Sequence, residues 1–105
     1  LGLIAYYDYI NRNLKVAHCD NVECSSATIS TLDSTGDVGT FTSVAIGADG
    51  LGLISYDDAT NGDLKVAPCH NTQCTPAAIR TVDSEGDVGQ SSSVAIGADG
   101  LPIIS

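Results

Sequence analysis

The chain contains one sequence written twice. Residues 1–50 and 51–100 align without a gap, with 31 of the 50 positions identical, and residues 101–105 restart the same unit a third time. A repeat of this length constrains the fold more than any short motif, because every copy must form the same supersecondary unit and bury its apolar face against a neighbour. We therefore predict β repeats at 1–50 and 51–100 and the first strand of a third repeat at 101–105. Since the chain has no methionine, we expect it to be a piece of a longer tandem array.

Each repeat is predicted to be four short β-strands joined by tight turns. In the second copy the apolar and β-branched runs are 51–56, 64–67, 78–82 and 93–97, and their lengths are typical of strands. The segments between them, 61–63, 84–87 and 98–100, supply the Gly, Asn and Asp residues that hairpin turns require. The sequence thus predicts an all-β fold of two tandem four-stranded antiparallel propeller-blade-like repeats. A two-sheet sandwich built from both repeats is the alternative.

A family resemblance rests on three runs of the repeat. Residues 93–105, 56–67 and 81–89 are similar to tandem repeats of secreted microbial proteins that resemble sialidase-type (BNR-like) β-propeller blades. The resemblance implies a blade fold and a secreted protein. It does not imply sialidase chemistry, because Asp33–Gly39 lacks the Ser-x-Asp-x-Gly-x-Thr-Trp spacing and the chain has neither tryptophan nor a repeated arginine.

The cysteines recur at the same place in both repeats, as Cys19 and Cys24 and then as Cys69 and Cys74. Each pair lies between two predicted strands, where facing Cα atoms come about 4.5–5.5 Å apart, a separation that suits a disulfide. We predict one disulfide in each repeat, and with it an oxidising, extracellular environment.

Zinc is the alternative reading of these cysteines, because His18 and His70 are next to them. His18 aligns with Pro68, and His70 aligns with Asp20. Neither histidine is therefore a feature of the repeat, and no metal or other cofactor is expected.

Repeated carboxylates occur in the motif Asp-Ser-x-Gly-Asp. They are Asp33, Asp37, Asp83 and Asp87. Carboxylates around a glycine are weak candidates for calcium, but no complete calcium loop is present. We expect them to cap turn amides instead. A carboxylate pair could also act as acid and base in glycoside hydrolysis, which gives a glycoside hydrolase fragment as a less favoured alternative.

Tyrosine provides the main argument for a ligand site. Tyr6 and Tyr56 are equivalent, whereas Tyr7 and Tyr9 occur in the first repeat alone. A repeated aromatic ring could support weak, multivalent binding of glycans, which makes a glycan-binding, lectin-like propeller the alternative function. No nucleophile with a repeated histidine and no phosphate-binding loop occurs, so an enzyme is not expected.

The charge of the chain narrows its partners. Thirteen acidic residues against four basic ones give a net charge of −9, which disfavours nucleic acids and anionic membranes. No apolar run is long enough for membrane insertion. We expect an extracellular or cell-surface structural or adhesive module whose partners are copies of itself or further repeats of a longer chain. Strand addition by the assembly strand, Leu101, Pro102, Ile103, Ile104 and Ser105, would join them into a ring or a filament.

Overall fold

The protein is described here by a computed structural model covering residues 2–47, 49–71, 74, 79–89, 93–96 and 101–105, with backbone alone for Ile96 and Pro102. In this part of the chain there are nine strands and no helix, which confirms the all-β prediction. The strands are β1 (Leu3–Asp8), β2 (Asn13–Cys19), β3 (Ala27–Asp33), β4 (Val38–Ile46), β5 (Gly52–Asp58), β6 (Asp63–Pro68), β7 (Arg80–Asp83), β8 (Val94–Ile96) and β9 (Pro102–Ile104).

The strands form three antiparallel sheets, in the orders β1-β2-β3, β4-β5-β6-β7 and β8-β9. We call them sheets 1, 2 and 3. Sheet 2 takes β4 from the first repeat and the other three strands from the second. The cause is the tight turn at 47–51, in which the Gly50 N–H donates to the Gly47 carbonyl at 2.9 Å and the Gly47 N–H donates to the Leu51 carbonyl at 2.8 Å. The sheets therefore run across the boundary between the sequence repeats.

The predicted strands and turns are found where the structure describes them. Of the runs 51–56 and 64–67, β5 and β6 contain 52–56 and 64–67, and of the runs 78–82 and 93–97, β7 and β8 contain 80–82 and 94–96. Ala78, Gly97 and the turn predicted at 98–100 lie outside the described residues. Among the strands that the structure describes, no sheet is made of the four strands of one repeat.

Each sheet has two faces that differ in their role. We define the front face by Ile4 and Tyr6 in sheet 1 and by Ile54 and Tyr56 in sheet 2. The back face is the opposite one, with Leu14 and Val16 in sheet 1 and Leu64 and Val66 in sheet 2, because side chains alternate along a strand. The core unites the back of sheet 1 with the front of sheet 2; its members are Leu14, Val16, Leu32, Val38, Ile54, Tyr56, Ala67, Cys69 and Cys74. Successive sheets thus stack front to back.

The start of β4 approaches β2 through a glycine. Gly39 has φ 106°, and a Cβ built there would lie 2.7 Å from the Leu14 Cα. Its equivalent, Gly89, has φ 98° and a similar approach to Leu64. Only glycine fits at this position, because both the backbone conformation and the space exclude a side chain.

Candidate functional site: the interface between successive sheets

Both predicted disulfides are present and each closes the hairpin loop after the second strand of a repeat. Cys19 pairs with Cys24 and Cys69 with Cys74, with Cα–Cα distances of 4.8 and 4.3 Å. In each pair the second cysteine has positive φ, 54° for Cys24 and 64° for Cys74. The four sulfurs are therefore not available as thiolate ligands for zinc, and their oxidised state agrees with an oxidising environment.

A buried hydrogen bond joins the two large sheets. The Tyr56 hydroxyl on β5 donates to Asp33 Oδ2 at the end of β3, at 2.8 Å, and both side chains are buried. Burial, reinforced by the adjacent carboxylate, raises the pKa of the Tyr56 phenol. The other oxygen, Asp33 Oδ1, accepts from the Thr35 N–H at 3.0 Å. Tyr56 therefore holds the sheets together and offers no ring face to a ligand in this structure.

The equivalent tyrosine and aspartate lie at opposite ends of the stack. Tyr6, on the front face of sheet 1, is half-buried, and no hydrogen bond of its hydroxyl occurs within the described residues. Asp83, at the end of β7, is exposed. Asp83 Oδ1 accepts from the Glu85 N–H at 3.0 Å, in the same turn geometry as Asp33. Asp83 thus has the turn geometry of Asp33, but no tyrosine among the described residues donates to it as Tyr56 donates to Asp33.

Asp37 connects the loop after β3 to the neighbouring hairpins. Its N–H donates to Thr60 Oγ1 at 2.7 Å, and its carbonyl accepts from the Ala59 N–H at 2.8 Å. Its Oδ1 accepts from the Tyr7 hydroxyl at 2.5 Å, a bond that raises the pKa of Tyr7. Asp37 therefore joins the β3–β4 loop of sheet 1 to the β5–β6 turn of sheet 2.

Asp57 occupies the position of Tyr7 in the second repeat, with a different result. It is 2% exposed; its Oδ2 accepts from the Thr40 hydroxyl at 3.1 Å, whereas its Oδ1 is buried without a hydrogen-bond partner. Burial raises the pKa of Asp57, and the nearby carboxylates of Asp87, Asp58 and Asp37 add to the effect. The second repeat therefore has the acceptor Asp57 where the first repeat has the donor Tyr7.

A repeated ion pair that sequence reasoning missed stabilises the first hairpin of each repeat. Lys15 Nζ lies 3.2 Å from Asp8 Oδ2, and Lys65 Nζ lies 2.9 Å from Asp58 Oδ2. Hydrogen bonds from Asn11 lower the pKa of Asp8 to about 2. Burial alone would raise the pKa of Asp58, but hydrogen bonds from Asn61 and Lys65 lower it. The signal in the sequence is that Asp, Asn and Lys keep these positions in both copies.

The weak calcium candidates act in turns. Asp33 and Asp83 accept turn amides, and Asp37 accepts the Tyr7 hydroxyl, while Asp87 lies in the bend after β7. The described ranges contain no group of three or more His, Cys, Asp or Glu side chains placed to hold a metal ion. Those ranges also contain no helix with the length and apolar character needed to cross a membrane.

The assembly strand predicted at Leu101–Ser105 pairs within its own chain. It forms β9, antiparallel to β8, with Val94 opposite Ile104 as Val44 is opposite Ile54 in sheet 2. Two further bonds, Ser93 N–H to the Ser105 carbonyl and Ser105 N–H to the Ser93 carbonyl, measure 3.0 and 2.9 Å. β9 thus begins a third sheet in the register of the complete one.

The site that these contacts define is the front-to-back interface between successive sheets. Its polar centre is a tyrosine–aspartate hydrogen bond, its rim is a loop connection through Asp37, and its apolar part is the core. Comparison of the chain with protein-family models, with curated proteins and with solved structures found no match.

Proposed function

We propose that this chain is a non-enzymatic extracellular structural or adhesive repeat module that assembles by strand addition into a propeller ring or a filament. One observation carries the proposal: sheet 2 is completed only by strands of two successive repeats. One repeat supplies three strands of such a sheet, and the fourth strand comes from the preceding repeat or, in an assembly, from another copy. The resemblance to sialidase-type blades agrees with such a module.

Polar contacts between the sheets support an interface that can be repeated. The Thr42 hydroxyl of sheet 2 donates to the Ala5 carbonyl of sheet 1 at 3.1 Å, and the Val94 N–H of sheet 3 donates to Ser43 Oγ of sheet 2 at 3.1 Å. The interface is head to tail, since front meets back. Head-to-tail contacts form a ring when the rotation per unit closes and an open filament when it does not.

The disulfides and the charge support an extracellular setting. Two disulfides tied into short loops suit an oxidising compartment. A net charge of −9 keeps such a module soluble and disfavours nucleic acid as a partner.

A glycan-binding function is the second candidate, and an aromatic pair with one exposed ring favours it. The rings of Tyr7 and Tyr9 meet edge to face with centroids 6.5 Å apart, and Tyr9 is 83% exposed. Because Tyr56 is buried, this pair is the better platform for a sugar ring than the repeated tyrosines. A glycan array with the wild type and with Tyr9→Ala tests this function, and equal signal from both would eliminate this site.

Electron microscopy of the non-reduced chain, with its mass in solution, tests the first proposal. Rings or fibres that form without any added ligand are the expected result. A monomer at every concentration up to the millimolar range would overturn the structural function.

A further inference from the structure

One contact of the first repeat is replaced in the second repeat by a pair of carboxylates. In the first repeat the Tyr7 hydroxyl donates to Asp37 Oδ1 at 2.5 Å. The equivalent positions of the second repeat hold Asp57 and Asp87. Ionised carboxylates accept hydrogen bonds and donate none. The second repeat therefore has two acceptors where the first repeat has a donor and an acceptor.

The backbone brings the second of these carboxylates to the same place as in the first repeat. The Val88 N–H donates to the Gly62 carbonyl at 2.9 Å, as the Val38 N–H donates to the Arg12 carbonyl at 3.2 Å. The segment after β7 thus approaches the β5–β6 hairpin as the start of β4 approaches the β1–β2 hairpin. Asp87 precedes Val88, and its Oδ1 lies 3.5 Å from a Cβ built on Gly62. The Asp87 carboxylate is therefore held against this hairpin.

Asp57 supplies a buried oxygen that faces the same segment. Its side chain is 2% exposed, and its Oδ2 accepts from the Thr40 hydroxyl, whereas its Oδ1 has no hydrogen-bond partner. This Oδ1 lies 3.2 Å from a Cβ built on Gly89, so it points toward the segment after β7. The nearby ammonium of Lys65 is paired with Asp58 at 2.9 Å. Because a buried carboxylate oxygen without a donor is costly, Asp57 calls for a cation from outside the chain.

The charges around Asp57 indicate which kind of cation suits this place. Burial raises the pKa of Asp57, and among the neighbouring carboxylates that of Asp87 has the largest effect. Two carboxylates facing one position favour a divalent ion, and calcium binds six to eight oxygens from carboxylates, carbonyls and water. Asp87 is exposed, so water can reach the position and supply the ligands that the two carboxylates leave open.

We propose that Asp57 and Asp87 bind one calcium ion between β5 and the segment after β7, with Asp57 Oδ1 as its buried ligand. The ion joins the segment to β5, as the hydrogen bond from Tyr7 to Asp37 joins the equivalent elements of the first repeat. Two carboxylates completed by water form a weak site, and we expect a dissociation constant of about 0.1–1 mM, as in extracellular calcium modules. The site does not depend on assembly of the chain.

Urea denaturation of the non-reduced chain tests this site, with calcium chloride in one series and with EDTA and potassium chloride at equal ionic strength in the other. For the wild type, about 10 mM calcium should lower the unfolding equilibrium constant about 10- to 100-fold. Asp57→Asn and Asp87→Asn should each lose this effect. In EDTA, Asp57→Asn should be at least as stable as the wild type, because it removes the unpaired buried charge. That result also checks that the variant is folded.

Two matched controls remove a carboxylate outside the site. Asp20 and Asp49 are exposed and lie in other loops of the chain. Asp20→Asn and Asp49→Asn should keep the full calcium effect. They change the net charge as much as the site variants do, so they separate a bound ion from general screening of the acidic chain.

Two results would overturn the calcium site. The first is a wild type that is equally stable in calcium chloride and in potassium chloride. The second is a calcium effect of the same size in the wild type, in Asp57→Asn and in Asp87→Asn. Neither result bears on the proposed structural function, which electron microscopy tests separately.

Discussion

Equivalent residues of the two repeats differ in burial although their identity is the same. Tyr6 and Tyr56 occupy the same position, yet the first is half-buried and the second is fully buried. Ile4 and Ile54 differ in the same direction. The reverse holds on the opposite side, where the first-repeat Asp33 is buried and Asp83 is exposed. Burial in this chain is therefore set by the place of a sheet in the stack, and the same residue can be a core or a surface residue.

A second contrast comes from a substitution between the repeats. Tyr7 donates to Asp37, whereas Asp57 has a buried oxygen without a partner. At this position the first repeat has a tyrosine hydroxyl with a hydrogen-bond partner, whereas the second repeat has a carboxylate oxygen without one. Four predictions, each with a matched comparison, test how far the two repeats are equivalent, from the largest expected effect to the smallest.

The close approach of Gly39, at the start of β4, to β2 is expected to be the most sensitive point. Gly39→Ala should lower the free energy of unfolding by about 3 kcal/mol, because the new Cβ meets the Leu14 backbone in a positive-φ conformation. Gly86→Ala is the matched control, since Gly86 also has positive φ but no atom within 4 Å of a built Cβ. Urea denaturation measures both, and equal losses would show that φ alone, and not the contact, limits this position.

Loss of one disulfide should cost about 2 kcal/mol of folding free energy through the entropy of the unfolded chain. We expect the double variant Cys69→Ser with Cys74→Ser to lose more than the equivalent change at Cys19 and Cys24. The reason is that Cys69 and Cys74 are also part of the core between the sheets. Thermal unfolding without reductant compares the two variants. Equal losses of stability would show that the packing of Cys69 and Cys74 in the core makes no extra contribution.

Tyr56→Phe should lower the free energy of unfolding by about 1.5 kcal/mol, because it removes the tyrosine donor from Oδ2 of the buried Asp33 carboxylate. Tyr6→Phe should leave the stability of the monomer unchanged. A double-mutant cycle of Tyr56→Phe with Asp33→Ala, which removes the acceptor, measures the coupling. Additive effects would contradict a direct bond between the two sheets.

Asp57→Asn should stabilise the fold by about 1 kcal/mol near pH 7, because it replaces a buried carboxylate that has an unpaired oxygen. Since the pKa of Asp57 is raised above 3.8 in the fold, its contribution is favourable below that value and is lost as the pH rises. The gain should therefore vanish near pH 3.

Asp58→Asn is the matched comparison for this prediction. The pKa of Asp58 is lowered by Asn61 and Lys65 against the effect of burial, so its stabilisation is present above pH 3.8 and is lost as the pH falls. Asp58→Asn should therefore destabilise the fold near pH 7. Denaturant unfolding near pH 7 and near pH 3 measures the change in unfolding free energy for both variants. A change of the same sign for both variants near pH 7 would contradict the opposite roles given to Asp57 and Asp58.

The sequence predicted the individual strands and disulfides better than it predicted which strands share a sheet. The strand periods, the turn residues and the cysteine spacing are local, and they led correctly to antiparallel strands and to disulfides at Cys19–Cys24 and Cys69–Cys74. Which strands share a sheet depends on the turn at 47–51, and a tandem sequence is equally consistent with sheets inside a repeat and across its boundary. The bond from Tyr56 to Asp33 joins residues of different repeats, and no spacing rule within one repeat could find it.

The measurement that tests the account most directly is a nuclear Overhauser experiment on the non-reduced chain at low concentration. The account predicts short backbone distances between Val44 and Ile54, which pair across the repeat boundary, and between the equivalent Val94 and Ile104. Contacts from β4 to β1 as neighbouring strands of one sheet, in place of Val44 to Ile54, would contradict it.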